Sequence, residues 1–224
     1  MKTKSLKKAG FTLSETMLGL AIGMVVAGAA GWFLVEGTRI SLKTSAASTN
    51  DLSEWGILTS ITVDTKTANG MVMYSSFLKT TFSSSSNRLA SGQTGNVLVL
   101  TQSTPNNSGS SSSAAIYTQL TGYVFDPTYS TFKKFVYYTT STEKNPSSPA
   151  SLETILYNNF DALVLQTLAN NVKAVSTTSP LNSAFLCRDA GNQSGELNLQ
   201  VVGGNSMLST SSSKLIETSF FVRG

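Results

Sequence analysis

Histidine is absent from this chain of 224 residues, cysteine occurs once, and charged residues make up only 12% of the total. Without histidine there is no Ser-His-Asp triad, no histidine metal cluster and no imidazole general base. The twelve acidic residues are scattered and form no repeated carboxylate pair, and no serine lies in a G-x-S-x-G turn. We therefore expect no enzyme and no cofactor.

The single cysteine, Cys187, cannot form a disulfide within the chain. It lies in the short apolar run AFLCR, so we interpret it as a half-buried small hydrophobic residue. If the chain is exported to an oxidising compartment, noncovalent packing alone must stabilise it there.

The excess of basic residues comes from one short segment. Four of the 16 basic residues lie among the first eight positions, which leaves 12 basic against 12 acidic residues in the rest of the chain. The four are Lys2, Lys4, Lys7 and Lys8. Elsewhere only Lys133 and Lys134 are adjacent, and in a strand they would point to opposite faces. We predict no nucleic-acid surface, because such a surface requires clustered cations.

Apolar residues are concentrated from Phe11 to Val35, a stretch of about 25 residues with one charge, Glu15. As a helix, this length spans the ~30 Å hydrocarbon layer of a membrane. An ordinary secretory signal is cut after its apolar segment, whereas here the small residue Gly10 precedes it. Cleavage between Gly10 and Phe11 would remove the lysines and leave the apolar helix as the new N-terminus.

This order of basic leader, Gly10, Phe11, Glu15 and apolar run resembles the type IV pilin and pseudopilin family. The resemblance implies that a prepilin peptidase cuts after Gly10 and methylates Phe11, and that an inner-membrane platform assembles the subunit with other pilin or pseudopilin subunits. It implies a single-pass protein of the bacterial inner membrane that later enters a periplasmic or extracellular filament. The alternative is an uncleaved signal anchor whose lysines stay in the cytoplasm.

The resemblance also gives Glu15 a role in assembly. A lone carboxylate in lipid costs a few kcal/mol on insertion scales, so it normally marks a partner. In filaments of the family the matching glutamate pairs with the N-terminal amine of a neighbouring subunit, which here would belong to Phe11.

The helix is predicted to continue beyond the membrane, because residues 36–68 contain no proline. Four apolar residues recur there at three-residue spacing, which predicts a packing stripe: Leu52, Trp55, Leu58 and Ile61. We interpret Trp55 as a core anchor. Asn69 and Gly70 are expected to end the helix, the glycine through a left-handed conformation.

After Gly70 the periodicity becomes that of strands. The predicted strands are MVMYSSF, NVLVLTQ, AAIYTQLTGYVFD, KKFVYYTT, LETILYNN, AFLCR, ELNLQVV and KLIETSFFVR. Residues 161–175 fit a strand or a short helix, and Asp161 as N-cap favours the helix. The predicted fold class is α+β, a long N-terminal helix with an antiparallel β-sheet globular domain, as in pilins.

A loop near the C-terminus offers oxygen atoms to a metal ion. Asp189, Asn192 and Glu196 lie in DAGNQSGE, but their spacing departs from that of an EF-hand. We expect an ordinary polar turn there and no metal.

The predicted domains are the leader (1–10), the transmembrane or filament-core half of the helix (11–35), the helical spine (36–69) and the β-rich globular domain (70–224). The order of elements resembles the larger minor pilins and pseudopilins. In that group a run similar to L-x-x-I-x-x-D-x-x-x-A ends the spine, here Leu58, Ile61, Asp64 and Ala68.

This second resemblance implies a minor pilin or pseudopilin subunit of a type IV pilus or a type II secretion-like filament. The lack of a C-terminal disulfide loop agrees with that choice. Two alternatives remain open. One is a major pilin that forms the bulk of a fimbrium, and the other is a signal-anchored adhesin or binding domain that never polymerises.

Overall fold

The computed structural model describes residues 12–105, 115–175, 182–190, 193–205 and 210–222. One long helix, α1, is followed by antiparallel strands and one short helix, α2, so the predicted α+β class is confirmed. The helices are α1 (Leu13–Thr67) and α2 (Leu152–Asn159). The strands are β1 (Gly70–Tyr74), β2 (Thr94–Gly95), β3 (Val97–Thr104), β4 (Ile116–Asp126), β5 (Thr131–Tyr138), β6 (Gln166–Asn170), β7 (Val172–Ala174), β8 (Phe185–Asp189), β9 (Ser194–Asn205) and β10 (Thr210–Phe221).

The chain divides after Ser45 into two compact units. The first contains the apolar part of α1. Its 33 residues Leu13–Ser45 are long and apolar enough to cross a membrane, and none of them is buried. A helix that exposes apolar side chains on all sides is stable only in lipid or among other helices.

The second unit contains the strands, which form two antiparallel sheets. Sheet A has the order β1-β3-β4-β5-β6, and sheet B has the order β10-β9-β8-β2, with β7 pairing to β9. One core cluster joins the end of α1 to both sheets, and its members include Ile57, Ile61, Leu98, Tyr123, Phe185, Leu197 and Ile216. A second cluster lies between sheet A and α2, and its members include Val99, Leu120, Phe135, Leu152 and Ile155.

Burial on both faces explains the apolar composition of sheet A. The six residues of β4 from Leu120 to Phe125 are all buried, although alternate residues of a strand point to opposite faces. In β9, by contrast, Leu197, Leu199 and Val201 are buried and the residues between them are half-buried, which confirms the predicted alternation.

The predicted stripe on the spine is wrong at its N-terminal end. Ile61 is buried and Leu58 packs against the same core, but Leu52 and Trp55 are 71% and 70% exposed. Nine residues separate Leu52 from Ile61, which is about 2.5 turns of a helix, so the two lie on opposite sides. The buried face is instead formed by Ile57, Ile61 and other residues at four-residue steps.

Two predictions for the segments after β5 were also wrong. The segment LETILYNN, predicted as a strand, is the helix α2, whose N-cap Ser151 accepts a hydrogen bond from the Thr154 backbone N–H at 3.2 Å. The segment from Asp161 onward, for which we favoured a helix, forms one 3-10 turn (Phe160–Ala162) and then β6 and β7. The strand alternative for this segment was therefore correct.

The end of α1 differs from the prediction in its geometry. Helix α1 ends at Thr67, and Gly70 does not take the left-handed conformation. The side chain of Asn69 instead binds β3, where its Oδ1 accepts the Ser103 backbone N–H at 2.8 Å. Glycine is needed at position 70 because a Cβ there would collide with the Thr101 hydroxyl.

Candidate functional site

The apolar helix begins with a capping box. Thr12 is the N-cap, and its hydroxyl accepts the Glu15 backbone N–H at 3.4 Å. In return, Glu15 Oε2 accepts the Thr12 backbone N–H at 2.9 Å and the Thr12 hydroxyl at 3.0 Å. This reciprocal pattern satisfies donors that the first turn of a helix leaves without partners. Sequence analysis missed it, although Thr12-Leu13-Ser14-Glu15 carries its signature.

The capping box uses one oxygen of the Glu15 carboxylate. Among the described residues nothing donates a hydrogen bond to Glu15 Oε1, and the whole side chain is exposed. The carboxylate therefore retains an acceptor for a cation from another molecule, while it also complements the positive end of the helix. The predicted cleavage residues Gly10 and Phe11 lie outside the described residues.

The surface around Glu15 is apolar. From Thr16 to Val35 the helix contains no charged residue, and its large side chains, among them Met17 and Leu18, are more than half exposed. The next charges are Glu36 and Arg39, which form a partly exposed pair at 3.8 Å and contribute little to stability. Glu15 is thus the single ionisable group of a long apolar surface.

The aspartate of the spine motif, Asp64, forms a second polar cluster. Its Oδ2 lies 2.6 Å from Lys134 Nζ and accepts the hydroxyl of Tyr123, while Lys134 Nζ also donates to Ser60 Oγ at 3.0 Å. Burial raises the pKa of Tyr123, and its hydrogen bond to Asp64 raises it further. Since these groups satisfy one another, we interpret the cluster as a structural link between α1 and strands β4 and β5.

A third cluster binds α2 to the loop before β2. The buried carboxylate of Glu153 accepts two hydrogen bonds from Arg88, at 2.7 and 3.0 Å, and one from the Tyr74 hydroxyl at 2.9 Å. Burial raises the pKa of Tyr74, and the neighbouring carboxylate adds to this effect. Sequence analysis had no signal for this cluster, because Arg88 and Glu153 are 65 positions apart.

The loop considered for calcium is occupied by other contacts where it is described. Glu196 Oε1 accepts a hydrogen bond from Arg188 Nη2, and Asn192 lies outside the described residues. The described part of the chain contains no group of three metal-ligating side chains. Cys187 is buried, and burial followed by the charge of Asp189 raises the pKa of its thiol.

The comparison with protein families found a match at the start of the chain. Residues 5–31 match the prokaryotic N-terminal methylation motif, which is the signature of type IV pilins and pseudopilins. The matched range includes Gly10, Phe11 and Glu15, so the resemblance predicted from these residues is confirmed. Comparisons with curated proteins and with solved structures found no match.

Proposed function

We propose that this protein, which carries the N-terminal methylation motif, is a minor pilin or pseudopilin subunit of a type IV pilus or a type II secretion-like filament. One observation carries the proposal: the motif leads into a long apolar helix, and Glu15, the single carboxylate before Glu36, keeps an unused acceptor at its exposed start. The role is structural, and no residue is assigned to catalysis.

On this proposal each of the four predicted regions has its own role. A prepilin peptidase removes the leader (1–10) and methylates Phe11, while membrane lipid holds the apolar half of the helix (11–35) in the inner membrane. The spine (36–69) carries the globular domain (70–224). An inner-membrane platform then moves the subunit from lipid into a filament of other pilin or pseudopilin subunits, where it becomes periplasmic or extracellular.

The pairing of Glu15 follows from the cost of charge in an apolar environment. When helices replace lipid around Glu15, its carboxylate loses access to water at the membrane surface. The N-terminal amine of a neighbouring Phe11 would offset this loss by donating to Glu15 Oε1, while Oε2 still caps the helix. Glu15 therefore acts both within its own chain and between chains.

The minor subunit is preferred over a major pilin because the globular unit has two sheets and the chain has no disulfide. A major pilin would be the abundant component of sheared fibres. A non-polymerising, signal-anchored adhesin would keep its leader lysines and would be absent from filaments.

Two substitutions separate the capping role of Glu15 from its charge. Glutamine also fits the third position of a capping box, so Glu15→Gln keeps the cap and loses the charge, whereas Glu15→Val loses both. We expect both variants to enter filaments about tenfold less than wild type, because a partly buried charge pair exceeds ~1.4 kcal/mol. Quantitative immunoblotting measures the amount of each variant in purified filaments relative to the amount that stays in the membrane.

Glu36→Gln is the matched control, because Glu36 is a half-buried glutamate on the same helix, beyond the apolar run. It should assemble as wild type does. If Glu15→Gln also assembles normally while Glu15→Val does not, Glu15 is only a cap and the pairing proposal fails. If Glu15→Val assembles normally too, the residue has no role in assembly.

A further inference from the structure

The junction between α1 and β1 contains the dipeptide Asn69–Gly70, and asparagine is followed by glycine nowhere else in the chain. An asparagine loses its side-chain amide most readily before a glycine. Glycine has no Cβ, so nothing hinders the approach of its backbone nitrogen to the preceding side chain. The packing around this junction explains why both residues are present and what protects them.

Both ends of the Asn69 amide are bonded to β3. Its Oδ1 accepts the Ser103 backbone N–H at 2.8 Å and the Ser103 hydroxyl at 3.2 Å, and its Nδ2 donates to the Ser103 carbonyl. Strand β1 begins opposite Thr101, so the Asn69 side chain takes the place of a strand at Ser103. An aspartate at this position could accept the N–H, but it would set a second acceptor against the carbonyl oxygen.

Position 70 has no space for a side chain. A Cβ there would lie 2.3 Å from the Thr101 hydroxyl oxygen and 3.7 Å from Thr101 Cβ. Thr101 is buried and β-branched, so turning its side chain brings a methyl group to the place of the hydroxyl in one of the two other rotamers. Two separate packing requirements therefore place the asparagine directly before the glycine.

We propose that Asn69 is a deamidation site, that its contacts with Ser103 suppress the reaction in the native fold, and that the reaction proceeds in chains where β1 is not paired with β3. Deamidation would then mark chains that have stayed unfolded or have lost their fold. The proposal concerns the globular unit and does not depend on filament assembly.

The reaction needs no partner except water. The Gly70 backbone nitrogen attacks Asn69 Cγ, and the new C–N bond closes a succinimide ring. The Cγ–Nδ2 bond breaks, so the amide nitrogen leaves as ammonia with the proton of the Gly70 N–H. Water then opens the ring at either carbonyl. The products are aspartate and an isoaspartyl linkage, in which the chain continues through the side-chain carboxyl group.

The native contacts oppose the first step. To close the ring, Cγ must move to bonding distance of the Gly70 nitrogen and the amide must lose its planarity, so its bonds to Ser103 have to break. The Asn69 backbone N–H is bonded as well, to the Thr101 carbonyl at 2.9 Å. The rate therefore follows the fraction of chains in which this contact is open. Three hydrogen bonds, taken at the low end of their net strength, lower that fraction about tenfold.

Mass spectrometry of aged protein tests the site directly. The full-length chain is incubated in dodecyl maltoside micelles in mildly alkaline buffer, once folded and once with the globular unit unfolded in urea. Brief cleavage after Lys66 and Lys79 at mildly acidic pH releases residues 67–79, in which Asn69 is the one side-chain amide. The replacement of amide by carboxyl in this peptide should be at least about tenfold faster in urea.

Two substitutions at Ser103 separate its backbone from its side chain. Ser103→Ala keeps the backbone N–H and C=O, so deamidation of the folded chain should stay near the wild-type rate. Ser103→Pro removes the N–H that Asn69 Oδ1 accepts, so it should raise the folded-state rate severalfold. That N–H bonds to Asn69 and the preceding residue is in a strand, so proline should be tolerated there. Circular dichroism checks that both variants are folded.

A paired substitution tests the glycine. Gly70→Ala together with Thr101→Ala removes the hydroxyl that would meet the new Cβ, and it should strongly slow deamidation in urea. Equal rates in folded and unfolded wild-type protein, no reaction in either, a folded Ser103→Pro chain that reacts no faster than Ser103→Ala, or a wild-type rate in urea for the paired variant overturns the proposal. All these rates are measured on residues 67–79, so none of them bears on the filament function.

Discussion

At the scale of single residues, Glu15 and Glu153 are both glutamates that accept several hydrogen bonds, but their surroundings differ. Glu15 is exposed and bonds within one helical turn, so its removal should leave the globular unit intact. Glu153 is 5% exposed and bonds to groups far away in sequence, Arg88 and Tyr74. We therefore propose a role in assembly for Glu15 and a role in stability for Glu153.

Replacement of Glu153 should make stability less dependent on pH. Burial alone would raise its pKa, but the hydrogen bonds from Arg88 and Tyr74 lower it below the ordinary 4.5. A lowered pKa means that the carboxylate stabilises the fold above the unfolded-state pKa and loses this effect as the pH falls through the folded-state value. Glu153→Gln should reduce the free energy of unfolding by about 2 kcal/mol at pH 7 and by less at pH 3.

The measurement is urea unfolding of the full-length chain in micelles, followed by near-ultraviolet circular dichroism. Glu217→Gln is the control, because Glu217 is exposed, and it should match wild type at both pH values. An equal deficit for Glu153→Gln at pH 7 and pH 3 would show that its charge does not matter.

At the scale of elements, α1 changes its environment along its length. Its first part exposes apolar residues on all sides, and its last part buries one face against the sheets. The side chains of Ile57 and Ile61 form that face, while Leu52 and Trp55 point away from it. Exposure rather than hydrophobicity decides which of these residues contributes to the stability of the domain.

Substitutions in α1 should follow this division. Ile61→Ala should lower the free energy of unfolding by about 3 kcal/mol, because it leaves a cavity between α1 and the sheets. Trp55→Ala should change it by no more than about 0.5 kcal/mol, since an exposed side chain loses few contacts. Thermal and urea unfolding of the two variants side by side checks both values. A Trp55→Ala deficit as large as that of Ile61→Ala would mean that the indole is buried in solution.

At the scale of the whole molecule, an apolar helical unit is followed by a folded β unit. The proposed cleavage after Gly10 concerns the first unit alone, so blocking it should not alter the second unit. This independence allows the cleavage proposal to be tested without a change in the fold.

Wild-type protein extracted from membranes should begin at Phe11 and carry one added methyl group. Gly10→Val should keep residues 1–10, because a branched side chain does not fit where the peptidase expects a small one. Intact mass spectrometry measures both outcomes, and the thermal unfolding of the β unit should be unchanged. The control is Gly28→Val, also in the N-terminal unit, where an added Cβ meets nothing within 4 Å. Wild-type protein that retains Met1 would support the signal-anchored alternative.

Local patterns in the sequence were sufficient for the N-terminal segment and for most strands. Gly10, Phe11, Glu15 and the apolar run lie within 35 residues, so their order alone predicted the methylation motif that was then found. The alternation of β9 was equally clear, because adjacent residues report the two faces of one strand. The capping box of Thr12 and Glu15 was readable in the same way, but sequence analysis missed it.

Only the tertiary structure decided which side of the spine is buried, what becomes of Asp161 and the residues after it, and which cation binds Glu153. Each of these depends on groups distant in sequence: the strands that cover Ile61, the β5 edge that pairs with β6, and Arg88. Local propensity differs between helix and strand by at most about 1 kcal/mol per residue. Burial of one large side chain contributes more than that, about 1.5 to 3 kcal/mol, so long-range packing overrides the local pattern wherever the two disagree.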